Sequence, residues 1–217
     1  MKIAILTANL GNFDQVVNSV SQYTDHEVKF HRFTDEDFPP VTGLSGRFQY
    51  RIPKMFGWEM MPNYDMYLWF DSSMALKSPD ALNWFLRQME GYEMGFFKHP
   101  WRKTLKEEVD HIEEYLRKGN EYITSRYKNG FHKEMYWKTI GTPFFKDNTL
   151  YASTVFMYRN TQAVKDTLRI WWFYQSRYYT CDQVNLPLAL FETGVSHIAF
   201  EGDLFKNHYI DLVSKHK

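Results

Sequence analysis

Cysteine, net charge and long apolar runs are all scarce in this sequence, and each scarcity excludes a class of protein. The single cysteine, Cys181, excludes an intramolecular disulfide and fits a reducing compartment. A formal net charge of zero gives no reason to expect bulk attraction to nucleic acid. No run reaches the roughly 18 to 20 apolar residues of a membrane span, and MKIAILTAN does not read as a signal peptide. We therefore expect a soluble, cytoplasmic protein with no membrane span and no nucleic-acid partner.

Aromatic residues are abundant, at 18% of the 217 residues. Many stand beside polar groups, which suits a concave site that stacks on sugars or bases. A tightly packed core accounts for the same composition, and for any one of these residues that simpler interpretation is favoured.

Strand-like and helix-like segments alternate along the chain. Lys2 to Ala8, HEVKFHRF, MYLWF, YEMGFFKH, TLYASTVFMYRN and SHIAF are predicted strands, and a helix is expected from about Phe13. The continuous apolar run of MYLWF is typical of a strand buried on both faces. The alternation predicts one α/β domain over residues 1–217, with a Rossmann-like, mostly parallel mixed sheet flanked by helices. Residues 103–146 interrupt it and predict a helical, aromatic insertion over one end of the sheet.

Polar clusters follow several of the predicted strands, and ligands bind at the carboxyl ends of the strands in open α/β sheets. The first cluster, TANLGN, has neither the dinucleotide fingerprint nor a Walker pattern. Its small residues would let the backbone approach a flat ring or a ribose, but an ordinary strand-to-helix turn explains them equally well. The candidate ligand contacts in this turn are Thr7, Ala8, Asn9, Leu10 and Asn12.

The second cluster, DSS, follows MYLWF and places Asp71 at the end of a buried strand. A carboxylate there is costly unless it is paired, hydrogen-bonded or bound to a cation. In one interpretation Asp71 or Ser73 caps the turn or the next helix. In the other, Asp71 binds Mn²⁺ or Mg²⁺ that also bridges a diphosphate.

Four blocks in this order resemble glycosyltransferases of the GT-A type: YRIPKMFGWEMMPNYDMYLWFDSS, FKHPWR, ASTVFMYRN and CDQVNLPLAL. More narrowly, they are similar to a family of glycosyltransferase-like domains of plants, bacteria and large algal viruses. One such domain is implicated in viral capsid glycosylation. The resemblance covers most of the chain and implies a GT-A-like fold, a UDP-sugar donor, a glycan or glycoprotein acceptor, and Mn²⁺ or Mg²⁺ as cofactor.

The resemblance also implies roles for individual residues. Asp71 matches the first carboxylate of an Asp-x-Asp motif, Ser73 stands in place of the second, and His208 is the expected third metal ligand. Donor contacts are expected from the residues of TANLGN and from Arg47, Arg51, Lys54, Asp71, Ser72, Lys98, His99 and Arg102. A solvated basic helix face is the alternative for Arg47, Arg51 and Lys54. A capped loop histidine is the alternative for His99, and a surface histidine is the alternative for His208.

CDQVNL is the candidate catalytic segment, in which Asp182 and Gln183 would face the anomeric carbon. Asp182 could act as the general base of an inverting enzyme or on the opposite face in a retaining one. A carboxylate at a helix start is also favoured by the helix dipole alone. Cys181 is interpreted as a small buried residue. The candidate acceptor platform consists of Trp101, Tyr136, Trp137, Phe144 and Phe145.

Two other functions compete with sugar transfer. An aspartate-nucleophile phosphatase also carries a carboxylate after a buried strand, but it requires a second acid where this chain has Ser73. A non-catalytic module that binds nucleotide-sugars or glycans would tolerate the missing carboxylate.

Overall fold

A six-stranded sheet with a single reversed strand forms the centre of the molecule. The computed structural model describes residues 1–11, 13–14, 16, 18–39, 41 and 43–213. Its strands are β1 (Lys2–Ala8), β2 (Glu27–Phe33), β3 (Met66–Phe70), β4 (Met74–Leu76), β5 (Met94–Lys98), β6 (Tyr151–Arg159), β7 (His197–Ala199) and β8 (Ile210–Leu212). The main sheet has the order β2-β1-β3-β6-β5-β7, and β4 pairs with β8 separately. Only β6 runs against its neighbours, so the predicted mostly parallel mixed sheet is confirmed.

Helices flank this sheet, also as predicted. They are α1 (Gly46–Gln49), α2 (Arg51–Met60), α3 (Ala81–Gln88), α4 (Leu105–Arg117), α5 (Glu121–Tyr127), α6 (His132–Ile140), α7 (Gln162–Tyr178) and α8 (Asp182–Thr193). The predicted insertion contains α4, α5 and α6, which pack through a shared apolar cluster against α7 and α8. Within the described residues, no helix is both long and apolar enough to cross a membrane.

The two faces of the sheet bury alternate residues of each central strand. Ile3 and Leu68 face a core completed by α3 and by the β4 and β8 pair. Leu6 and Trp69 face the opposite core, formed with α2, α7 and α8. This period of two explains why MYLWF is apolar at every position, because both of its faces are covered.

The helix expected from about Phe13 is wrong, since the described residues between Gly11 and Asp25 form no helix. This segment instead lies along β4 and α3. The Val20 amide donates to the Leu76 carbonyl at 3.0 Å, and the Ser19 hydroxyl accepts from the Leu76 amide at 2.9 Å. Long-range hydrogen bonds thus take up backbone groups that a helix would have used locally.

Candidate functional site

The carboxyl ends of β1, β2, β3 and β5 share one edge of the sheet, because these strands are parallel. Ala8, Phe33, Phe70 and Lys98 are their last residues. The loops that follow therefore bring parts of all three predicted polar clusters to this edge. Asn12 lies outside the described residues, whereas Thr7, Ala8, Asn9 and Leu10 are buried at the end of β1.

Four charged side chains form what we call the buried ion network, namely Arg51, Lys54, Asp71 and Asp182. The Lys54 ammonium lies 2.7 Å from Asp182 Oδ2 and 3.1 Å from Asp71 Oδ1. Arg51 Nε lies 2.7 Å from Asp182 Oδ1. Lys54 is fully buried, whereas a quarter of the Asp71 side chain is exposed. Asp71 is therefore the member of the network that is most accessible to a ligand.

Three segments position this network, two of them neighbours in the sequence and the third more than a hundred residues later. Arg51 and Lys54 stand three residues apart at the start of α2, which places them on one helix face. Asp71 directly follows β3, and its Oδ1 also accepts a hydrogen bond from the Trp69 indole at 2.9 Å. Asp182 begins α8, where the helix dipole favours a carboxylate. The helix-start interpretation of Asp182 therefore describes part of its environment.

Charge pairing outweighs burial for the most enclosed members of the network. Burial disfavours the charged form of Lys54, but Asp182 and Asp71 together raise its pKa above the ordinary value. Burial likewise opposes ionisation of Asp182, yet Arg51 and Lys54 hold the pKa of that carboxyl well below its usual range. Burial raises the pKa of Asp71, against the opposing effect of Lys54. Tyr50 donates its hydroxyl to Asp182 at 3.2 Å, and burial together with that carboxylate raises the pKa of Tyr50 to about 12.

A second polar cluster surrounds Glu108, a residue that sequence reasoning missed. This buried carboxylate accepts from the Arg102 guanidinium and from Gln183 Nε2, the latter at 3.2 Å. His99 Nε2 lies 3.9 Å from Glu108, and burial with the Arg102 charge lowers the pKa of His99 to about 3. Cys181 Sγ lies 3.7 Å from the same carboxylate, and burial raises the pKa of its thiol well above the ordinary value.

A sequence signal for Glu108 did exist. Glu108 lies on the apolar stripe of α4 formed by Leu105, Val109 and Ile112, where a carboxylate needs partners.

Sequence reasoning also missed Asp14. Its backbone exchanges hydrogen bonds with the Asn9 side chain, and its carboxylate accepts from the Ser72 hydroxyl, which joins the loops after β1 and β3.

The predicted metal ligands are a poor donor set for Mn²⁺ or Mg²⁺. The Oδ1 atom of Asp71 is already shared by an ammonium and an indole N–H. Ser73 is neutral and buried, and His208 is exposed with its ring 5.5 Å from that of Tyr209. Across the part of the chain that the structure describes, no three histidine, cysteine, aspartate or glutamate side chains are placed to hold an ion. The residues present therefore do not fit the cofactor that the resemblance implies.

The remaining candidates are spread more widely. Arg47 donates to the Arg126 carbonyl at 2.6 Å and lies over the Tyr127 ring, and Lys98 is exposed at the end of β5. The predicted acceptor aromatics divide into separate contacts: Trp101 stacks on Phe205, Tyr136 contacts Trp137, Phe145 contacts Phe191, and Phe144 is 93% exposed. Of these aromatic residues, Trp101 is the one in the loop that follows β5 at the carboxyl edge.

Two open grooves occur elsewhere, at the amino ends of the strands. They have volumes of about 370 and 540 Å³, and both are lined by His26 and Asn83. None of the candidate residues lines either groove. We place the candidate site at the carboxyl edge, because the buried charges and polar loops are concentrated there.

No family model matches the chain, and no curated protein matches it.

Proposed function

We propose that this protein is a glycosyltransferase that moves a sugar from a nucleoside-diphosphate donor, UDP-linked by resemblance, to a glycan or glycoprotein acceptor. The observation that carries the proposal is the buried ion network at the carboxyl edge of a Rossmann-like sheet. Charged side chains in contact across α2, β3 and α8 are costly to bury, and such groups concentrate at functional sites.

In this proposal Asp71 touches the donor. Its exposed quarter is available to accept hydrogen bonds from sugar hydroxyl groups, while Lys54 and Trp69 fix the orientation of the carboxylate from behind. A carboxylate held in this way positions the sugar without having to reorganise during the reaction.

Asp182 is better suited to positioning than to proton transfer. Both of its oxygens are engaged by cations, and its lowered pKa makes it a weak base. We therefore assign Asp182 to holding Arg51 and Lys54, and this differs from the catalytic role that the sequence suggested. Gln183 follows Asp182 in the sequence and donates to Glu108, and in this proposal it lies beside the donor, as the resemblance implies.

A non-catalytic nucleotide-sugar or glycan-binding module is the second candidate. The engagement of Asp182 favours it, because that carboxylate is not free to activate an acceptor hydroxyl. The two functions differ in turnover, since a binding module would hold the donor without hydrolysing or transferring it.

Release of nucleoside diphosphate from a panel of nucleotide-sugars, with and without acceptor glycans and Mn²⁺, tests the proposal. Wild-type protein should turn over at least one donor. Asp71→Asn should reduce kcat/KM about tenfold or more, the loss expected for a charge-assisted hydrogen bond. Asp110→Asn, at an exposed aspartate of α4, is the matched control, and its kcat/KM should stay within about twofold of the wild-type value. Donor binding without turnover would favour the binding module, and equal rates for Asp71→Asn and wild type would refute this site.

A further inference from the structure

The buried ion network is electrically balanced by side chains alone. Arg51 and Lys54 supply the positive charges, and Asp71 and Asp182 supply the negative ones. The Lys54 ammonium bridges the two carboxylates, at 3.1 Å and 2.7 Å. A divalent cation bound to Asp71 in the absence of an anionic ligand would leave this largely enclosed cluster with an uncompensated charge, so the protein alone should not bind the ion.

The ligand chemistry points the same way. Mn²⁺ and Mg²⁺ prefer several oxygen ligands, with carboxylates supplying most of the negative charge. The Asp71 turn offers one carboxylate, and two N–H donors already occupy Oδ1 of that group. The position two residues later is Ser73, which brings no charge.

We infer that the buried Lys54 ammonium takes the place of a divalent cation at the Asp71 turn, so that this chain binds a nucleoside diphosphate without a metal ion. The choice of a nucleoside diphosphate as ligand rests on the proposed function. The claim that Lys54 replaces a divalent cation at Asp71 does not. The diphosphate charge is then offset by cationic side chains of the edge, for which exposed Lys98 and partly exposed Arg102 are the candidates. Lys54 would thus neutralise Asp71 while Lys98 and Arg102 offset the diphosphate, and together they would supply the electrostatic role that a metal performs elsewhere.

The first experiment measures metal binding alone. Mn²⁺ is titrated into wild-type protein without nucleotide, and free Mn²⁺ is followed by electron paramagnetic resonance. Wild type should show no stoichiometric Mn²⁺ binding at millimolar concentrations. Saturable binding of one ion that disappears in Asp71→Asn would overturn the inference, whatever reaction the protein catalyses.

The second experiment measures UDP binding by calorimetry in EDTA and in Mn²⁺. The two dissociation constants for wild type should agree within about threefold. Lys54→Met, which removes the ammonium while conserving volume, should weaken binding in EDTA at least tenfold, and the exposed Lys77→Met should match wild type. The inference would be overturned if wild type lost UDP binding in EDTA, or if a folded Lys54→Met variant bound UDP as tightly as wild type.

Failure of the proposed function has a different signature. If UDP and other nucleoside diphosphates bind under neither condition, the donor assignment fails, and with it the nucleotide half of the inference. The Mn²⁺ titration then still decides the claim about Asp71. If Lys54→Met does not fold, the wild-type comparison of EDTA with Mn²⁺ remains decisive.

Discussion

Replacement of Lys54 by methionine should strongly destabilise the protein, because it leaves two carboxylates with one cation. The Lys54 side chain is fully buried and contacts Asp182 at 2.7 Å and Asp71 at 3.1 Å. Coulomb's law with an effective dielectric constant of about 20 gives roughly 6 and 5 kcal/mol for these two contacts. The desolvation of Lys54, several kcal/mol, offsets part of this attraction in the wild type.

The net effect should be a loss of about 3 to 5 kcal/mol in the free energy of unfolding, the range found when one partner of a buried ion pair is removed. The lower end is the more reasonable expectation, because Asp71 is a quarter exposed and Asp182 keeps Arg51. Urea unfolding followed by circular dichroism, at pH 7, measures this change. Lys77→Met, at an exposed lysine, should lie within about 0.5 kcal/mol of wild type.

A Lys54→Met variant within about 1 kcal/mol of wild type would refute the reasoning. That result would mean that solvent or a rearranged side chain compensates the two carboxylates, so Lys54 could not be their principal counter-charge. A change in m-value would point instead to altered compactness of one of the two states.

Three further predictions concern other parts of the molecule. The pKa of His99 is lowered to about 3 in the folded protein, so the unfolded chain binds more protons below pH 6.5. Between pH 7.5 and pH 5 the free energy of unfolding should therefore fall by about 2 kcal/mol more in wild type than in His99→Asn. Urea unfolding measures this difference, and the same pH dependence in both proteins would contradict the prediction. Cys181 is buried with a raised pKa, so a thiol reagent should label it only after denaturation, and rapid labelling of native protein would show an open thiol. A Cβ on Gly95 would overlap the Phe200 ring, so Gly95→Ala should lower the free energy of unfolding by about 1 to 3 kcal/mol; an unchanged denaturation midpoint would contradict this packing.

The central sheet was predictable from sequence because each of its strands has a recognisable local pattern of residues. MYLWF is apolar throughout, and β6 and β7 also carry apolar runs bounded by polar residues. The β4 and β8 strands have three residues each, and their existence depends on pairing between segments about 135 residues apart. No local sequence pattern predicts that pairing. The described residues from Phe13 to Asp25 form no helix for the same reason, since Ser19 and Val20 hydrogen-bond to distant Leu76.

The residues of the site were largely identifiable, but their contacts were not. Asp71 was a candidate because a carboxylate after a buried strand demands a partner. Asp182 was a candidate because CDQVNL lies in one of the blocks that resemble GT-A glycosyltransferases. The partner that they share, Lys54, is separated from Asp182 by 128 residues. The sequence therefore supported a cation at Asp71 without distinguishing a metal ion from an ammonium group. The packing of α2 beside β3 is what brings the Lys54 ammonium to Asp71.

The cost of the network is the best physical reason to regard this edge as functional. Buried ion pairs add little stability relative to well-packed apolar residues, and exchanging them for such residues is often neutral or favourable. Fold stability alone therefore does not account for two cations and two carboxylates here, in a molecule whose cores are otherwise rich in aromatic and aliphatic side chains. A simultaneous replacement of all four members, Arg51 and Lys54 by methionine and Asp71 and Asp182 by leucine, should accordingly recover much of the stability lost in Lys54→Met, yet bind UDP no better. Recovery of both stability and UDP binding would show that the network serves the fold alone, and it would remove the main support for a site at Asp71.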